Sequence, residues 1–131
     1  MSRAKSDGYV MAFDFGMRHI GVAVGQFITH TANPLATLSA INGKPDWDRL
    51  GNLIETWQPE RLIVGLPLNM DHTEGEMCES ARRFAKKLEH RYSLTVHMVD
   101  ERLTTFEAQR SDPEGTHEIA AKLIAETYLN S

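Results

Sequence analysis

Asp14 lies in "MAFDFGMRHIGVAVGQ", inside an apolar run that reads as a buried strand. A lone charge in that setting is costly, so the carboxylate must be paired or must hold a cation or a phosphate-bearing ligand. A second acidic pair, Asp100–Glu101, closes the apolar run "LTVHMV". Acids leaving two separate strands, both of which read as internal, are the donors that hard cations such as Mg2+ or Mn2+ require. Two such ions about 4 Å apart can stabilise both the attacking and the leaving oxygen of a phosphodiester. The competing readings are an ion-paired acid at Asp14 and a helix-starting pair at Asp100–Glu101, where acids favour the helix dipole. The apolar flanks of Asp14 weigh against the first, and Asp14 itself tips the second pair toward function.

Other candidates carry less. Gly16, Gly21 and Gly25 sit in a hairpin with spacing that does not match a dinucleotide fingerprint. They are read as letting a substrate backbone approach the sheet edge. No two of the six histidines stand at i, i+3 or i+4, and Cys78 is the lone cysteine, which argues against a structural zinc site. Arg82, Arg83, Lys86 and Lys87 cluster on one predicted helix. A solvated face is the favoured reading there, and a phosphate-tracking surface the lesser one.

The elements that must position these residues follow from periodicity. Val10–Phe15 and Ile20–Gly25 read as two strands of a hairpin, and Pro34–Ile41 as a third. Asp46 caps a helix with Trp47, Leu50, Ile54 and Trp57 on one face, which Pro59 stops. Arg61–Leu68 begins as a central strand. Met77, Ala81, Phe84, Leu88 and Tyr92 stripe a second helix, Leu94–Val99 forms a strand, and a short helix is expected through "TTFEAQR". Ile119, Ala120, Leu123, Ile124, Thr127 and Tyr128 are expected to face inward from the last helix. Antiparallel strands followed by strand–helix alternation imply an α/β protein with a mixed five-stranded sheet and helices on both faces. Residues 1–8 read as a flexible tail and 9–131 as one domain. The 131 residues are 41% hydrophobic and 24% charged, with a net charge of −4. That balance is ordinary for a globular protein and argues against a generic nucleic-acid binder. No run reaches membrane-spanning length, so no membrane partner is expected.

Taken together and in order, "DFGMRHIGVAVG", "IVGLPLNMDHTEGE" and "VDERLTT" resemble the YqgF/RuvX family of pre-16S ribosomal RNA nucleases, described also as Holliday-junction-resolvase-like. The resemblance runs from Val10 to about Tyr128. It implies an RNase H-like fold, a cytoplasmic location and phosphodiester hydrolysis dependent on Mg2+ or Mn2+, in maturing the 5′ end of 16S rRNA. By motif match, Asp14 takes the place of the first metal-binding acid, and Glu101, beside Asp100, that of the second. Arg18, Asn69 and Arg102 match positions where substrate phosphate contacts are expected. Two departures stand out. Arg18-His19 replaces the family's Lys-Arg, and only "SDPEGT" separates "EAQR" from the last helix, where the family has a longer segment. The position aligned with the family's third acid is His117, followed by Glu118. Glu118 is the leading candidate for the third metal ligand, with Asp112 and Glu114 behind it. His117 as a nitrogen ligand would favour Mn2+ or another transition metal over Mg2+.

The expected partner is structured RNA, with branched DNA as the alternative for a junction resolvase. A non-catalytic RNA-binding ribosome-assembly factor is the reading from another class. The chain is expected to act as a monomer or a weakly associating homodimer.

Overall fold

The computed structural model describes residues 8–66, 75–100 and 116–131. Their elements run β1 (Tyr9–Asp14), β2 (His19–Gln26), β3 (Thr31–Ile41), β4 (Lys44–Pro45), α1 (Trp47–Trp57), β5 (Arg61–Leu66), α2 (Glu76–Tyr92), β6 (Thr95–Asp100) and α3 (Thr116–Leu129). The helix expected through "TTFEAQR" lies outside the described residues.

Every residue from Val10 to Phe13 is apolar and closed to solvent, so β1 must be covered on both faces. It lies inside a mixed sheet ordered β4-β3-β2-β1-β5-β6. β1 pairs antiparallel with β2 and parallel with β5, which in turn pairs parallel with β6. Among the described residues the sheet has six strands rather than five, because Lys44 and Pro45 fold back across the Asn42–Gly43 turn onto Ile41 and Ala40. β6, expected to be internal, is an edge strand of the described sheet.

Local chemistry explains the boundaries. The Asp46 carboxylate accepts from the amides of Asp48 and Arg49 and starts α1. Gln58 ends it in a left-handed conformation (φ 45°), its amide donating to Ile54 O, just before Pro59. β3 begins three residues before the expected Pro34. The register shifts there, Val22 facing Ala36 and Ala23 facing Pro34. A bulge is where a proline without an N–H can sit inside a strand.

The two faces of the sheet bury different material. One carries Met11, Phe13, Ile20, Val22, Leu62 and Val64 against α1 and α2. The other carries Val10, Ala12, Ala32, Ile63 and Val99 against Ile124 and Ala125 of α3. The inner face of α3 is turned from the expected one. Ala120, Ala121, Ile124 and Ala125 are buried, while Ile119, Leu123 and Thr127 are only half-buried. The smallest side chains face the sheet because the helix lies very close to it.

Candidate active site

Asp14 is the last residue of β1 and sits opposite Gly21 of β2. Strand alternation puts it on the face of Val10 and Ala12, beneath the start of α3. Its carboxylate is 17% exposed, and Oδ2 lies 3.9 Å from Nδ1 of His117 in the first turn of α3. Gly21 makes this approach possible. A Cβ at that position would overlap the His117 carbonyl and lie 2.8 Å from the Glu118 amide nitrogen. At Gly25, further along β2, a Cβ would meet Leu129 Cδ1 at 2.8 Å. The two glycines thus admit a helix, not a substrate backbone at a sheet edge. β2 is interior, so the expectation from sequence is corrected here.

His19, the first residue of β2, lays its ring 5.0 Å from that of His117, tilted by 31°. Burial, and then the neighbouring charge on His19, hold the His117 pKa below the ordinary histidine value. Asp14 would act the other way, but a 3.9 Å pair with a partly exposed imidazole is weak. A neutral ring offers one unprotonated nitrogen to a cation or a proton.

The remaining candidates spread out. Arg18 is exposed in the turn after β1, where its carbonyl accepts from the Ala40 amide at 2.8 Å. Asp100 ends β6 opposite Leu66. It shares strand parity with Val96 and Met98, which pack on the α1–α2 side, so alternation assigns it to the face opposite Asp14. Glu118 follows His117 on α3, and one helical step turns a side chain by about 100°. His117 is therefore the residue of that turn which faces Asp14. Among the described residues, no three His, Cys, Asp or Glu side chains are grouped to hold a metal ion. Asp14 and His117 form a carboxylate–imidazole pair, a donor set that suits a transition cation better than Mg2+. Glu101, Asn69, Arg102, Asp112 and Glu114 lie outside the described residues. The contact between His19 and His117 has no local sequence signal, because 98 positions separate the two.

The model of the family described as "RuvX: Holliday junction resolvase" matches residues 8–131. A Nitrosococcus oceani protein named "Putative pre-16S rRNA nuclease" is 50% identical over 129 positions, covering 92% of this chain and 85% of that protein. A Marinobacter nauticus protein of the same name is 51% identical over 129 positions, covering 91% and 90%. These aligned stretches are longer than the share of this chain they take in, so the relatives carry residues where this chain has none. Among solved structures, T. thermophilus RuvC in complex with a Holliday junction substrate superposes with a TM-score of 0.57 at 12% identity, covering 94% of each chain. At that identity the likeness is one of fold.

Proposed function

Because this chain belongs to the RuvX family, we propose that it is a divalent-metal-dependent nuclease that hydrolyses phosphodiester bonds in the 5′ leader of pre-16S ribosomal RNA. The observation that carries the reading is Asp14, a mostly buried carboxylate at the end of an internal strand, faced by an imidazole from α3. Strand ends of this kind are where α/β sheets place their ligands.

The reaction is attack of water on a backbone phosphorus, with the bond to the 3′ oxygen breaking. Held beside that phosphate, divalent cations would supply activation of the water and charge neutralisation at the leaving oxygen. Asp14 and Glu101 are the proposed carboxylates that would hold them, with Glu118 as a lesser candidate; Asp100, on the opposite face of the sheet, drops out. His117 offers nitrogen where the family offers oxygen, and this favours Mn2+ over Mg2+. Arg18, exposed in the turn after β1, is proposed to meet a substrate phosphate, with Asn69 and Arg102 alongside it by motif. The cytoplasm, where ribosomal RNA is matured, is the proposed compartment.

The family description names a DNA junction, so the test sets the two substrates side by side. Pre-16S leader RNA and a four-way DNA junction are incubated with the protein in Mn2+, Mg2+ or EDTA. Cleavage of the RNA in Mn2+, abolished by EDTA, is the expected result. Preferential cleavage of the junction would replace the substrate, and metal-independent cleavage would overturn the mechanism.

A further inference from the structure

We infer that a basic groove between α2 and the β4 turn binds the phosphate backbone of the strand that enters the Asp14 site. The strand's identity rests on the nuclease reading, while the groove rests on its own geometry. Ser80, Arg83, Lys87 and Arg91 recur on α2 at helical spacing and form one stripe about 16 Å long. Across from it stand Lys44 and Trp47. Ser80, Arg83 and Lys87 of this stripe, with Lys44, Trp47 and Phe15, line a cavity of about 100 Å³.

Two of the cations are already oriented. Arg83 Nη2 donates to Ser80 Oγ at 3.2 Å. The Arg91 guanidinium lies over the Trp47 ring, 4.1 Å from its centre. Lys44, Arg83 and Lys87 make no ion pair with any described residue, whereas Arg82, one step round the helix, is engaged elsewhere. Three cations with no ion pair among the described residues therefore meet at one cavity in a chain whose net charge is −4. Their mutual repulsion is relieved by a polyanion, and a solvated helix face gives no reason for them to meet the lysine of another element.

The groove also lies in the right place. Phe15, in its wall, directly follows Asp14 in the chain. The Gly43 amide donates to Met17 O at 2.9 Å, fixing the β4 turn against the loop that leaves the site. A strand crossing this end of the sheet passes from Lys44, Arg83 and Lys87 on the α2 side to Arg18 and Asp14.

The test is fluorescence anisotropy of a labelled RNA hairpin with a single-stranded flank, in EDTA so that nothing is cleaved, with salt varied. Each phosphate contact contributes about 0.7–0.9 to the slope of log affinity against log salt. The triple variant Lys44→Ala, Arg83→Ala, Lys87→Ala is expected to lose about 2–3 of that slope. Lys44→Arg with Lys87→Arg should keep it, and so should Lys122→Ala on α3, across the sheet. DNA of the same sequence should show the same loss, since phosphate is the ligand. A loss confined to RNA would overturn the assignment in favour of ribose contacts. Displacement by poly-glutamate at equal charge would overturn it in favour of an acidic protein partner. An unchanged slope in the triple variant would also overturn it, yet would leave the nuclease reading standing, because cleavage of the same RNA by the Asp14→Asn protein is scored separately.

Discussion

The two faces of the sheet solve the same burial problem with opposite materials. Towards α1 and α2, large side chains fill the space. Phe84 alone meets Phe13, Phe15 and Trp47 at ring-centre distances of 5.3–6.1 Å. Towards α3, glycine and alanine bring backbones nearly into contact. The first face gains stability from area, since apolar burial scales with surface removed from water. The second gives up area and gains position, because a helix seated on backbone cannot drift. His117 faces Asp14 only because nothing at Gly21 intervenes. The thick face stabilises the fold and carries the proposed groove on its outside, and the thin face carries the Asp14 carboxylate.

That contrast can be broken on either side. The largest effect is expected at Phe84→Ala, which empties the thick face and should cost about 3–5 kcal/mol in urea denaturation. Cleavage per folded molecule at saturating RNA should fall little, since Asp14 and His117 lie on the other face. Gly21→Ala should cost about 3 kcal/mol, because the new methyl overlaps helix backbone that cannot rotate aside. It should also lower cleavage by roughly 100-fold, as expected when a site shifts by an ångström. Gly25→Ala meets side chains and no helix backbone, Leu129 Cδ1 at 2.8 Å and Val10 Cγ2 at 3.2 Å, and should cost about 1.5 kcal/mol, with activity kept. Equal losses at both glycines would mean that α3 does not position the site. His117→Asp puts oxygen where nitrogen faced Asp14, and the ratio of Mn2+- to Mg2+-supported cleavage should drop about tenfold. The smallest effect is on pH. The folded His117 has a lowered pKa, so as pH falls the unfolded chain takes up its proton first. Its contribution to stability is therefore full above about pH 6.5 and is lost as the pH falls through the lowered value. His117→Gln should lose less of its urea midpoint than wild type between about pH 7.5 and pH 5.

The apolar periodicity made the mixed sheet, the internal β1 and the α1 cap at Asp46 legible in the sequence. β4 was not legible, because two residues carry no period. The inner face of α3 was misjudged for a physical reason. Larger residues such as Ile119 and Leu123 look like core, but a helix seated on glycines must turn its alanines inward. The same oversight assigned Gly21 and Gly25 to a substrate. Asp14 was legible as an anomaly in an apolar run. The pairing of His19 with His117, and of Lys44 with Arg83 and Lys87, depends on contacts between distant segments that no local pattern encodes.

Asp14 as the cation-holding carboxylate is the claim on which the rest depends. Asp14→Asn keeps size and one oxygen but removes the charge, so the variant should fold and bind RNA in EDTA as wild type does. The decisive measurement is single-turnover cleavage of pre-16S leader RNA by wild type and Asp14→Asn across a Mn2+ titration. The expected result is cleavage by wild type that rises with Mn2+ and saturates, and none by the variant at any concentration. Equal rates for the two proteins would contradict it.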